Sequence, residues 1–185
     1  DWSSDVCSSD LFEDRRIYLT MSIPNDEVLT IYEDTIREWF DRQTKAIDFT
    51  PFYRAILDGD CSSMQKILKE NLRRAISYYD NKEAFYHGML LGFLLAMPDY
   101  VPKSNRECGN GRPDIALVPY DEEAPVIIME LKVCKKFTEM AEGCQAALDQ
   151  IEEKDYAAPF LDKGYTKIMK YGICFCEKTC MVEIR

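Results

Sequence analysis

Three side chains in this 185-residue chain have the types and spacing to do cation and acid–base chemistry together: Asp114, Glu130 and Lys132. Glu130 and Lys132 are two residues apart, and side chains on a strand repeat with a period of two, so both project from one face a few ångströms from each other. The spacing alone says little, because Glu152-Glu153-Lys154 repeats it on a segment with the character of a solvated helix. Context separates the two copies. Glu130 follows Val126-Ile127-Ile128-Met129, where a charge pair without a partner or a task would be costly. Asp114 opens the preceding segment just after Gly109-Asn110-Gly111, and antiparallel pairing of the two segments sets it beside Glu130. Two carboxylates so placed make a hard-cation site of the Mg²⁺ type, and a neighbouring lysine can orient or deprotonate a metal-activated water. That set of groups serves hydrolysis of a phosphodiester.

Such a site needs a sheet, and beyond Pro98 the apolar period changes from helical to strand-like. Tyr100–Cys108 and Arg112–Tyr120 read as a hairpin around a glycine turn. Val126–Val133 reads as a strand buried on most of its length. A helix follows from about Thr138 to Glu153, with Ala141, Cys144, Ala147, Leu148 and Ile151 on one face, and then strands at Lys167–Cys176 and Thr179–Ile184. Ahead of the sheet the pattern is helical. Pro24-Asn25 precedes an apolar face of Val28, Ile31, Tyr32, Ile36, Trp39 and Phe40, and Thr50-Pro51 opens a short helix that stops near Gly59. Ser62-Ser63-Met64-Gln65 resembles a capping box, and a helix over Lys82–Met97 is apolar nearly all round on its later turns, which predicts burial. The expected organisation is a helical connector or arm over 12–81 and an α/β domain over 82–185.

Composition bounds the rest. Thirty-three acids against 23 bases and 46% apolar residues describe a globular chain, and no apolar run reaches the length of a bilayer. No charged n-region followed by an apolar h-region opens it, so a cytoplasmic protein with no membrane partner is expected. Its eight cysteines form no C-x-x-C pair and are expected as reduced thiols packed as small hydrophobes. The segment Asp1–Leu11, DWSSDVCSSDL, back-translates into a string that resembles a widely used sequencing adapter. Residues 1–11 are therefore expected to be a scar outside the fold, with the true N-terminus missing. Without its three aspartates the remaining 174 residues carry 30 acids and 23 bases.

Gly111-Arg112-Pro113-Asp114, a gap of fifteen residues, and Glu130-Leu131-Lys132 resemble the signature of the PD-(D/E)XK nuclease superfamily. Ser104-Asn105-Arg106-Glu107, Ala147 to Gln150-Ile151, Tyr156 and Tyr171-Gly172-Ile173 bring the likeness closer to one branch, the nuclease-type domain that lies C-terminal to an AAA-ATPase-like region. The likeness covers about residues 83–185, and Ile17–Asn25 resembles the connector to the ATPase-like part. The resemblance implies a restriction-endonuclease-like αβββαβ core with a mixed central sheet. It also implies a divalent ion, Mg²⁺ or Mn²⁺, a nucleic-acid substrate, with DNA the first expectation, and a missing ATPase-like region as partner. By the same resemblance Asp114 and Glu130 are the metal ligands, Lys132 is the base or charge stabiliser, and Glu107, Gln150 and Tyr156 lie near the site. His87, four residues after Glu83 on one helix face, loosely resembles a third metal ligand of the exonuclease-like branch, with a hydrogen-bonded core histidine as the alternative.

Charge balance keeps a second function class in view. Residues 83–185 hold 17 acids against 12 bases, and no cluster of Lys and Arg interleaved with aromatics marks a nucleic-acid groove. A catalytically silent interaction or regulatory module on the nuclease fold is the alternative to the enzyme.

Overall fold

The computed structural model describes residues 48–75, 83–104 and 111–185, and the backbone of 11–13 and 16–18. The helix expected from Val28 to Phe40, the turn residues Gly109 and Asn110, and Glu107 lie outside the described residues. The chain divides into two compact units, Asp1–Asp48 and Phe49–Arg185. In the first, β1 (Leu11–Glu13) pairs antiparallel with β2 (Arg16–Tyr18).

The second unit runs α1 (Thr50–Asp58), α2 (Cys61–Ala75), α3 (Glu83–Leu94), β3 (Tyr100–Ser104), β4 (Ile115–Pro119) and β5 (Val126–Val133). A 3₁₀ turn (Phe137–Glu139) then leads to α4 (Met140–Glu153), α5 (Ala158–Leu161), β6 (Ile168–Cys176) and β7 (Thr179–Ile184). The five strands lie in the order β3-β4-β5-β6-β7, with β5 and β6 parallel and every other neighbour antiparallel. This is the mixed αβββαβ arrangement that the family resemblance implies, with β7 added at the edge. Pro113, which has no amide hydrogen to give a ladder, precedes the start of β4 at Ile115, so Arg112–Asp114 form a lead-in instead of the strand expected there.

Local chemistry sets the helix ends. Pro51 sits in the first turn of α1, and Gly59 closes that helix in the left-handed region at φ 71°, its N–H pointing back to the Ala55 and Ile56 carbonyls. The cap of α2 falls two residues before the expected capping box. Asp60 accepts the Ser63 amide at 3.0 Å and its hydroxyl at 2.6 Å, because a carboxylate is the stronger acceptor for an orphan amide beside the positive end of the helix. The helical pattern predicts a connector as far as residue 81, yet α1 and α2, inside that stretch, pack on the sheet. Tyr171 of β6 donates its hydroxyl to the Ile56 carbonyl, and Cys180 of β7 is buried with its thiol toward the Gln65 carbonyl of α2.

Helices cover both faces of the sheet, which is why β4 and β5 read as unbroken apolar runs. Ala116, Val118, Val126 and Ile128 pack with Leu148, Ile151, Tyr156 and Phe160 from α4, α5 and the turn between them. On the other face Tyr86 of α3 stacks on Phe175 of β6 with ring centroids 4.5 Å apart. The burial expected of α3 holds in part: Tyr86, Leu90 and Leu94 are buried, Met89, Leu91 and Phe93 are half-buried, and Leu95, just past its end, is 66% exposed. Apolarity all round a helix says how greasy it is, but only the sides that meet other elements become buried.

Helix α4 approaches β6 with no room to spare at Gly172. A Cβ there would lie 2.4 Å from the Cys144 carbonyl oxygen, a rigid backbone atom of α4. Gly172→Ala is therefore expected to cost about 2 kcal/mol by pushing the helix off the sheet, read as a lower urea midpoint with an unchanged m-value. Wild-type stability in that variant would show that the helix can retreat freely.

Candidate active site

The register of β4 on β5, with Ile115 opposite Met129, carries Asp114 to the position facing Glu130 where the ladder ends. There the side chains take over from the backbone. The Leu131 amide donates to Asp114 Oδ2 at 2.8 Å, and the Asp114 amide points to Glu130 Oε2 at 3.4 Å. Each carboxylate is thus pinned by the other strand's backbone, so the two acids are held as a pair. Lys132 Nζ donates to Glu130 Oε1 at 3.3 Å and to Gln150 Oε1 at 2.7 Å. The Gln150 amide nitrogen donates in turn to Glu130 Oε1 and to the Tyr156 hydroxyl, the latter at 3.3 Å. Sequence spacing explains the meeting: Glu130 and Lys132 share the face of Val126 and Ile128, and that face is the one α4 covers.

Burial makes the pair electrostatically tense. Glu130 is only 3% exposed. Loss of water pushes its carboxyl up to about 7, the Asp114 charge pushes in the same direction, and Lys132 opposes both. Two facing carboxylates with one lysine, held on the Glu130 side, leave an excess of negative charge in a partly dry site. The donor set fits a divalent ion of the Mg²⁺ type. Among the described residues no three His, Cys, Asp or Glu side chains converge on one point, so the remaining ligands would come from water or substrate oxygens, as Mg²⁺ sites commonly arrange.

The other expected site residues divide. Gln150 and Tyr156 join the cluster. Tyr156 is buried and also lies against Gly111, where an added Cβ would come within 3.1 Å of its ring. Glu83 stands exposed at the first turn of α3 and is not drawn in. His87 meets the backbone of the pair instead of its carboxylates: its Nε2 lies 3.0 Å from the Asp114 carbonyl and 2.9 Å from Ser104 Oγ. A carbonyl only accepts, so a hydrogen bond to Asp114 needs the proton on Nε2, and in that tautomer the nitrogen left to ligate is Nδ1. Ser104, here a direct partner of His87, stands out in the sequence only as the start of a motif. A serine on an edge strand has nothing local to mark it.

Gln150 touches both charged groups without being one, which makes it a positioning residue for Lys132. Gln150→Ala is expected to lower cleavage about 10–100-fold and to shift the pH–rate profile, while the melting temperature stays close to wild type. A lowered rate with an unmoved profile would argue that Lys132 keeps its place without it.

A mixed sheet of αβββαβ order with Asp, Glu and Lys gathered where β4 and β5 part defines a restriction-endonuclease-like domain. Residues 81–184 match the PD-(D/E)XK nuclease superfamily, and the chain belongs to that family. Membership places it among hydrolases of phosphodiester bonds, enzymes that typically use divalent metal ions. Comparison with curated proteins and with solved structures finds no match.

Proposed function

We propose that this domain cleaves DNA by hydrolysis supported by Mg²⁺ or Mn²⁺, with Asp114 and Glu130 holding the ion and Lys132 serving the attacking water. The observation that carries the reading is the paired carboxylate: Asp114 and Glu130 pinned by each other's strand, with the Lys132 ammonium 3.3 Å from Glu130 Oε1. A bound ion supplies Lewis acidity at the phosphate and a more acidic water. The chain's own residues do the rest. Glu130, ionised and relieved of its repulsion from Asp114, keeps its Oε1 toward Lys132. Lys132 orients the water or stabilises the developing phosphate charge, and Gln150 limits where Nζ can go. The Tyr156 ring and the apolar cluster beside it keep bulk water from this side of the site.

The likeness of Ile17–Asn25 to a connector supports a native fusion to an AAA-ATPase-like region, which would place the domain in a nucleic-acid-processing machine of the cytoplasm. No helix among the described residues is long and apolar enough to cross a membrane. The acidic balance of residues 83–185 favours the rival, a silent regulatory module.

The deciding experiment incubates the full chain with labelled single-stranded, duplex and junction DNA in Mg²⁺, in Mn²⁺ and in EDTA. Cleavage of at least one substrate with either ion and none in EDTA is expected; intact DNA in every arm leaves the silent module. His87→Ala in the same assay tests whether Nδ1 ligates. If it does, wild type prefers Mn²⁺, since imidazole suits the softer ion, and the variant loses that preference and binds metal more weakly. An unchanged ion preference would leave His87 as the holder of the Asp114 carbonyl.

A further inference from the structure

At the far end of β5, on the face that carries Lys132, the sheet gathers sulfur. Cys144 of α4 and Cys174 and Cys176 of β6 are buried together with Met140, and Cys134 and Met181 pack against them. All four cysteines are free thiols, and Cys134 alone of them is only half-buried. The geometry that matters is the parallel ladder. Val133 is aligned with Phe175 and the Cys134 amide donates to the Phe175 carbonyl at 2.9 Å, so the next aligned pair is Cys134 and Cys176. Lys132 is aligned with Cys174, which puts Cys134 and Cys176 on one face of the sheet.

We propose that Cys134 and Cys176 are a reversible oxidation site, in which a peroxide converts the two thiols into a disulfide that bolts the end of β5 to β6. Aligned residues on neighbouring strands have Cα atoms about 4.8 Å apart, inside the span a disulfide bridges, whereas the diagonal from Cys134 to Cys174 is about 8 Å and outside it. Accessibility divides the roles. Burial raises the Cys174 thiol to about 12 and the Cys176 thiol to about 11, and each also touches Cys134. Cys134, the one with access to solvent, therefore attacks first. Its thiolate sulfur bonds to one peroxide oxygen, the O–O bond breaks, and the departing hydroxide takes a proton to leave as water; sulfur is oxidised by two electrons and the peroxide reduced. Cys176 sulfur then attacks the sulfenic acid. The S–S bond forms, the S–O bond breaks, and the hydroxide leaves as water with the Cys176 proton. Two thiols and one peroxide yield one disulfide and two waters.

The chemistry owes nothing to the nuclease reading and is testable without it. The full chain, reduced and desalted, is treated with hydrogen peroxide in slight molar excess, then alkylated and mapped by mass spectrometry of its peptides. A Cys134–Cys176 crosslinked peptide is expected, reversed by dithiothreitol and accompanied by a rise of several degrees in melting temperature. Cys174→Ser should keep the crosslink, and Cys134→Ser should lose it and leave Cys176 alkylatable only on unfolding. A Cys134–Cys174 crosslink, or Cys134 driven to sulfinic acid with no bridge, would overturn the proposal. The wild-type map decides this even if a serine variant fails to fold.

Discussion

Asp114→Asn is expected to abolish metal-dependent cleavage, with a loss of ~10³-fold or more in kcat/KM. The asparagine keeps the shape of the aspartate, and its carbonyl oxygen can still accept the Leu131 amide that Asp114 Oδ2 takes at 2.8 Å, so the lead-in to β4 should stay in place. What disappears is one of two negative charges that face each other. Two carboxylates hold a divalent ion well; one carboxylate and one amide hold it poorly, and the ion is then too seldom present to assist hydrolysis. Because the Asp114 charge also raises the Glu130 carboxyl, its removal relaxes the metal-free protein. The variant should therefore melt at or above the wild-type temperature in EDTA, and added Mg²⁺ should raise the melting temperature of wild type but not of the variant. Cleavage at the wild-type rate would sink the assignment of Asp114 as a ligand, and a large drop in melting temperature in EDTA would make it a structural residue.

A second large effect lies in the pH dependence of stability. Glu130 is held at about 7 in the fold against an ordinary 4.5, so between those values the native state binds more proton than the unfolded chain. Stability then falls as pH rises: the contribution of protonated Glu130 is intact below about 4.5 and is lost by the time pH has passed 7. Glu130→Gln removes the titrating group. The variant's stability advantage over wild type, measured by urea unfolding in EDTA, should grow by about 3 kcal/mol between pH 5 and pH 8. Lys132 loses one partner in the variant but keeps Gln150 Oε1 at 2.7 Å and is a third exposed, so little is forfeited there. Added Mg²⁺ should reverse the order at pH 8, since the ion binds the ionised pair and the variant's neutral amide has no charge to offer. Parallel stability curves across the pH range would show that Glu130 is not desolvated in solution.

The residues that meet at this site were legible in the sequence to very different degrees. Asp114, Glu130 and Lys132, the face that the last two share, and the order of elements from α3 to β7 all followed from motif spacing and apolar period, because those are properties of one element or of two linked by a turn. The helix that covers Glu130 was legible as amphipathic, and Cys144, Ala147, Leu148 and Ile151 of its predicted stripe are on the face that packs, while Ala141, read into the same stripe, is exposed and Met140 is buried in its stead. Gln150 belonged to the site only by resemblance until the packing of α4 at Gly172 set its amide against Lys132 and Glu130. Nothing local announces a contact across twenty residues that depends on how close a helix can come to a sheet. His87 is the clearest case of tertiary structure choosing among local possibilities: the sequence places it on the helix face of Glu83, while the fold turns it to the Asp114 carbonyl and leaves Glu83 in solvent. Period and spacing determine which side of an element a residue occupies. Which other element faces that side, at what distance and with how much water left between, is decided only when the sheet, its register and its helices close together, and there the carboxyl of Glu130 acquires its altered proton affinity.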